Sequence, residues 1–336
     1  MRLSRLVFLL RATWFLLVAC ALATAQQLPE APSAQASGQK ATPTKPSESK
    51  PAVASPPTQP GVQTAPQNSA DQSQPPKEKV IIPASAERHF HEAVVFEKGG
   101  DVENAIAEYK TAIKEYPDYS AAHYNLGRLY LDRKGYADAI AEFKTVVRLK
   151  PNDADAHNNL GLALKHNGNL IDAAIEYREA VRLNPKMASA QNNLANLLYA
   201  RRDFAGAIEH YRAALAIDPK SAQTHMNLGS VLDDSGKTDE AIAEYKEALK
   251  LQPKNASIHY NLSIVYQKKH DMTAAVAELR EAAKLSPDWP TPHLMLTNLL
   301  KDSDPKAAAD ECIIADGLTH DAKLHERCLE LEKKAQ

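Results

Sequence analysis

Two polar side chains recur along this chain at intervals of 34 residues, and both are types that do chemistry. Histidine stands at His89, His123, His157, His225, His259 and His293, with Gln191 in the remaining place. Asparagine stands at Asn125, Asn159, Asn193, Asn227 and Asn261. A run of imidazoles first suggests metal binding. Zinc, however, needs its nitrogen ligands about 2.0–2.1 Å away, whereas packed helices stand about 8–10 Å apart. Neighbouring histidines therefore cannot share an ion, and they read as bulky packing residues. The stretch HFHEAVV (His89 to Val95) lacks the second histidine of a HExxH motif, so no metalloprotease is expected.

The asparagines suggest a different chemistry. A carboxamide both donates and accepts, which matches the paired N–H and C=O of a peptide unit. An extended chain advances about 3.3–3.6 Å per residue, so amides on successive helices would meet roughly every third peptide unit. Such a ladder would read backbone and ignore side chains. The other reading is a local helix-to-helix hydrogen bond. Asparagine is a mediocre mid-helix residue, so its recurrence needs one cause or the other. His91 and Met295 interrupt the ladder at its two ends.

The elements that must position these residues follow from the same period. Prolines fall at 83, 117, 151, 185, 219, 253 and 287. Counting the third residue after each proline as position 1, leucine holds position 7 from Leu126 to Leu296. A small residue holds position 8, alanine position 20, and an aromatic ring most of position 24. Positions 7 and 11 share one helical face, and positions 20, 24 and 27 share a face of a second helix. Small residues at 8 and 20 allow close approach, and the ring fills the gap. Gly100, Gly168 and Gly236 mark the turn between the two helices, where a left-handed backbone suits glycine. Position 6 is the asparagine.

This pattern closely resembles the tetratricopeptide repeat (TPR) family. The resemblance implies an all-α, right-handed superhelical solenoid over residues 84–318. Repeats are expected at 86–119, 120–153, 154–187, 188–221, 222–255 and 256–289. A degenerate seventh spans 290–318, with Ile313 in place of the ring and Asp316 in place of the late alanine. Residues 319–336 are expected to form a capping helix, which solenoid ends need. In this family the first helix of each repeat lines a concave groove. The expected groove residues are the five asparagines with Tyr124, Arg128, Asn158, Lys165, Asn192, Asn196 and Tyr260. The pattern is similar to the asparagine ladder in the repeat domain of O-GlcNAc transferase, with no catalytic region following. Tyr124 and Asn158 stand where the carboxylate-clamp members of the family place their first lysine, so that mode is not expected.

The N-terminus carries Arg2, Arg5 and Arg11, then a short apolar run from Ala12 to Ala23 and a small-residue cleavage site ending at Ala25. It reads as an export signal over residues 1–25, too short for an ordinary membrane span. An alternative lies in LVAC (Leu17 to Cys20), which resembles a lipobox and would make Cys20 a lipid anchor. Residues 26–82 are rich in Pro, Ala, Ser, Thr and Gln and poor in apolar side chains, so a disordered linker is expected. The chain has 40 basic residues, three of them in the leader, against 42 acidic ones. That balance gives no reason to expect nucleic-acid binding. Cys312 and Cys328 could pair in an oxidising compartment or remain reduced core thiols. No P-loop, nucleophile elbow or paired-carboxylate signature occurs, so neither catalysis nor a cofactor is expected. The expected function is an exported scaffold that binds an extended peptide or partner segment. The alternative is an outer-membrane lipoprotein acting in assembly, like the pilotin and barrel-assembly proteins that carry such repeats.

Overall fold

The computed structural model describes residues 81–335. The signal segment, Cys20 and the linker up to residue 80 lie outside the described residues. The described residues form fifteen helices and no strand. Fourteen of them pair into seven hairpins, each made of a helix A and a helix B. The pairs are Ala84–Lys98 with Val102–Glu115, Ser120–Asp132 with Tyr136–Leu149, and Ala154–His166 with Leu170–Leu183. Ala188–Ala200 pairs with Phe204–Ile217, Ala222–Asp234 with Thr238–Leu251, and Ala256–Lys268 with Met272–Leu285. The seventh pair is Pro290–Leu300 with Pro305–Thr319, and Ala322–Ala335 follows as a cap helix. Each helix packs on the next in chain order, which is an all-α solenoid.

Short polar side chains start many of these helices. The carboxylates of Asp153, Asp203 and Asp271 accept from the backbone N–H groups of Ala156, Gly206 and Ala274, each at 3.0 Å. The turn between helix A and helix B uses one left-handed residue at position 15 in each of the first six repeats. Gly100, Gly168 and Gly236 take it, as the sequence implied. Lys134, Arg202 and His270 take it as well, with φ of 61°, 60° and 59°. There the left-handed backbone costs about 1–2 kcal/mol per residue, and the closing of the hairpin on both sides holds it.

The small residue at position 8 is explained by the ring opposite. A Cβ added at Gly161 would lie 2.8 Å from the Tyr177 ring, and at Gly127 and Gly229 it would lie 3.0 Å from Phe143 and Tyr245. The position-20 alanines of repeats 1 to 6 and the rings Tyr109, Phe143, Tyr177 and Tyr211 are fully buried.

Each buried ring hydroxyl must also find a partner. Tyr211 donates to Asn196 Oδ1 at 2.6 Å, and Tyr245 meets Ser230 Oγ at 2.8 Å. Both partners occupy position 9. In repeat 3 that position is Leu162, and the buried Tyr177 hydroxyl is left without a partner. Burial accordingly pushes the Tyr177 phenol pKa up. Removing an unpartnered buried hydroxyl recovers its desolvation penalty, whereas removing a paired one loses about 0.5–1.5 kcal/mol. Tyr177→Phe should therefore leave the melting temperature unchanged or raised, and Tyr211→Phe should lower it. A larger loss for Tyr177→Phe would contradict this account.

The seventh repeat departs from its expected register. Its helix A stops two residues early and its turn is one residue longer, so helix B starts one place sooner and His293 pairs with Glu311 eighteen residues on, where earlier repeats use nineteen. The shift moves the whole of helix B by one place. Ile313 is therefore 46% exposed and does not replace the ring; Cys312, fully buried, stands there instead. Ala315 fills the late alanine position assigned above to Asp316, and Ala308, not Ala309, corresponds to the position-20 alanine. Cys312 is joined to Cys328 of the cap helix by a disulfide.

Candidate functional site

From repeat 2 to repeat 5 each helix A touches the helix A of the next repeat, and no pair of successive B helices comes as close. The A helices therefore line the inner, concave side of the stack. The asparagines of position 6 lie along it, all five half-buried.

Four of these amides are held from behind. Asn125 Nδ2 donates to the Tyr109 hydroxyl at 3.0 Å, and Asn159 Nδ2 to the Tyr124 hydroxyl at 2.9 Å. Asn193 Nδ2 donates to Asn158 Oδ1 at 3.0 Å, and Asn227 Nδ2 to Asn196 Oδ1 at 3.1 Å. Every acceptor belongs to the preceding repeat. The two readings of the asparagine are thus not exclusive: one amide hydrogen ties adjacent repeats, and that bond fixes how the rest of the group is presented. Asn227 Oδ1 is further occupied by Gln223 Nε2 at 2.8 Å. Asn261 makes no side-chain hydrogen bond among the described residues.

The neighbouring positions divide by role. Tyr124 and Asn158 serve as the acceptors just named, and Asn158 is buried. Tyr124 also packs edge-on against Phe143, centroids 5.8 Å apart. Asn196 accepts from both Tyr211 and Asn227. Arg128 is half exposed and donates to Glu97 at 3.3 Å. Asn192 donates to Thr224 Oγ1 at 2.8 Å while its own Oδ1 is buried and unpartnered. Tyr260 lies against Trp289, centroids 4.8 Å apart. Lys165 is half-buried on the same face. Near the N-terminal end, Phe90, Tyr124, Asn125, Asp153 and Asp155 help to line a cleft of about 400 Å³.

The recurring histidines do something the sequence reading missed. Each position-4 imidazole bonds a glutamate of helix B, at position 23 in every case but the seventh repeat, where the shifted Glu311 takes the place. Nδ1 lies 2.5 Å from Glu142 Oε2 for His123, and 2.6 Å from Glu176, Glu244 and Glu278 for His157, His225 and His259. In these four repeats Nε2 also meets the carbonyl of the repeat proline, at 2.8–3.2 Å. Both partners accept, so the ring satisfies both only when doubly protonated. For His123, burial pulls the pKa down, but the Glu142 bond and the Pro117 carbonyl outweigh it and the net direction is up. For His259 the Glu278 bond leads, against burial, and the pKa is again raised.

Repeat 4 inverts the pair. Gln191 Nε2 donates to the Pro185 carbonyl at 3.1 Å, and its Oε1 accepts from His210 Nδ1 at 2.7 Å. Burial, the largest influence, lowers the His210 pKa. Gln191 and His210 depart from the pattern together, which is the signal in the sequence that could have exposed the pair. The same geometry disposes of the one three-residue ligand cluster among the described residues. His89, Glu92 and Glu108 bring ligand atoms within 4.8 Å, but the His89–Glu108 contact at 2.5 Å is the bond made in the other repeats. The cluster is explained without an ion.

Comparison with known proteins agrees with this architecture. Models of the tetratricopeptide repeat match residues 90–154, 124–188, 167–222 and 256–288, and a model described as TPR repeat matches 231–270. No curated protein matches the chain. Similar solved structures include a tetratricopeptide repeat protein from Parabacteroides merdae, 16% identical, with a TM-score of 0.55 over 74% of this chain and 98% of that one. PilF of Pseudomonas aeruginosa is 21% identical, with a TM-score of 0.53 over 62% of this chain and 95% of its own. MamA is 26% identical, with a TM-score of 0.48 over 52% of this chain and 94% of its own. The likenesses to the Parabacteroides merdae protein and to PilF concern the fold alone.

Proposed function

Because the chain belongs to the tetratricopeptide repeat family, we propose that it is an exported, non-enzymatic interaction scaffold whose concave face holds an extended segment of a partner protein. The observation that carries this reading is the set of amides tied at Nδ2 to the preceding repeat. A side chain already immobilised loses little further entropy when a ligand arrives. With Nδ2 engaged, the free Oδ1 atoms of Asn125, Asn159 and Asn193 offer a row of acceptors for ligand N–H groups.

One hydrogen bond nets about 0.5–1.5 kcal/mol, so Asn193→Ala should weaken binding only a few-fold. Replacing Asn159, Asn193 and Asn227 together by alanine should nearly abolish capture of the partner from an envelope extract. Circular dichroism must accompany the test, since the same bonds tie repeats together. A folded triple variant that captures the same protein as the wild type would sink the ladder reading.

A second reading rests on LVAC, Leu17 to Cys20: a lipid-anchored assembly factor with the same groove. Mass spectrometry of the mature N-terminus separates the two. A diacylglyceryl Cys20 supports the anchored protein, and a free Gln26 supports simple export.

A further inference from the structure

The concave face carries one carboxylate whose hydrogen bonding is incomplete. Asp233, at position 12 of repeat 5, has a side chain only 10% exposed. Its Oδ2 accepts from Lys268 Nζ at 2.6 Å, while its Oδ1 is buried and has no partner. The next residue, Asp234, accepts from the Tyr199 hydroxyl at 2.8 Å. Of these two neighbouring carboxylates only Asp233 has a cation, Lys268. The carboxylate at the equivalent place in repeat 1 shows what completion looks like: Glu97 takes Arg128 on one oxygen and Tyr109 on the other. A buried carboxylate oxygen left unpaired is costly, so the site is short of a donor, and of positive charge in particular. Nearby phenols register the excess. Tyr245 is pushed up to about 12 by burial first, with Asp233 and Asp234 adding to it. Tyr199 is raised by burial and then by its bond to Asp234.

The present cover is removable. Lys268 belongs to the next repeat, its side chain is 49% exposed, and its ammonium sits on a flexible four-carbon stem. In the neighbouring repeats the buried amide nitrogen of Gln267 and the buried Oδ1 of Asn192 are likewise without partners.

We propose that Asp233 and Asp234 form a seat, on the concave face of repeats 4 to 6, for a basic side chain of the bound segment, and that Lys268 fills it until the ligand arrives. This rests on the groove reading above and adds a side-chain preference to a face that otherwise reads backbone. An arginine fork suits the seat best, since it can give one N–H to each oxygen of a carboxylate.

The test uses the full chain and short fluorescein-labelled peptides of serine and glycine with a single central arginine, glutamine or glutamate. Anisotropy should show the arginine peptide binding at least about tenfold more tightly than the glutamine peptide, with the preference shrinking as salt rises. Asp233→Asn with Asp234→Asn should erase that preference, and Lys268→Met should strengthen arginine-peptide binding several-fold. These opposite signs are not expected of residues that merely hold the fold. A preference that survives the double asparagine change, or a Lys268→Met variant that binds the arginine peptide more weakly, overturns the seat. The triple alanine variant at Asn159, Asn193 and Asn227 separates the two readings. If wild type binds all peptides equally and the triple variant binds none, the groove stands and the seat falls. If wild type binds no peptide, both fall.

Discussion

Changing His157 to glutamine will destabilise the third repeat by about 2–3 kcal/mol, and adding Glu176→His will recover most of that loss. Repeat 4 supplies the reason. There glutamine and histidine occupy these same two places and satisfy each other and the proline carbonyl. In repeat 3 the single change would turn a glutamine oxygen towards the Glu176 carboxylate, which is 22% exposed and bonded to His157 at 2.6 Å. Two acceptors would then face each other with no proton between them. The double change restores a donor. Hydrogen exchange of the third helix pair reads the effect locally, because repeat arrays respond mainly through nearest neighbours. If the double variant is no more protected than the single, position 23 is not the partner that makes histidine tolerable at position 4.

The same pairs give the array a pH signature. The pKa values of His123 and His259 are raised in the fold. Their contribution is therefore fully present below the unfolded value of about 6.5 and is lost as pH rises through the folded value. His210 is lowered, so its contribution is present above about 6.5 and is lost as pH falls through the folded value. Exchanging the repeat-2 pair, His123→Gln with Glu142→His, should thus reduce the alkaline loss of stability and add to the acidic one.

The repeat was legible because its causes are local and periodic. Proline, a small residue, a ring and a leucine at fixed offsets each answer to one contact. What escaped was whatever the period alone does not encode. Lys134, Arg202 and His270 adopt the left-handed turn without glycine, because closure of the hairpin overrides their local preference. The histidine was read as packing because its partner lies on the other helix, and only the joint exception at Gln191 and His210 points to it. The one-residue shortening from the start of helix A at Pro290 to the start of helix B at Pro305 leaves the composition intact while moving every contact of the following helix. The asparagine resisted assignment for a different reason. Its amide has two ends, and a sequence does not show which end a neighbour takes.

Reduction of the Cys312–Cys328 bond will release the cap helix while leaving the first six repeats folded. The bridge closes a segment of 16 residues, worth about 3 kcal/mol in the chain-entropy account. Besides two exposed hydrogen bonds, His325 with Asp316 at 2.7 Å and Arg327 to Asn298 at 2.5 Å, little else holds Ala322–Ala335. Its buried residues are Cys328 and Leu331, with Leu324 partly covered, while Leu329 is 44% exposed. An isolated helix shorter than about 12–15 residues is marginal in water. Repeats 1 to 6 do not share this dependence, since each is packed on both sides or built on the large ring-and-leucine core. Cys312 occupies the place where repeats 1 to 5 carry a ring and repeat 6 carries Leu279, so the last repeat holds its neighbour by a covalent bond where the others use apolar area. Such a bond lasts in an oxidising compartment, which suits the exported location proposed above. Hydrogen exchange in reductant, or of the Cys312→Ser, Cys328→Ser variant, should show residues 322–335 losing protection while the helices up to Leu285 keep theirs. Unchanged protection of the cap after reduction would mean that the packing of Leu324 and Leu331, with the bonds of His325 and Arg327, holds it without the bridge.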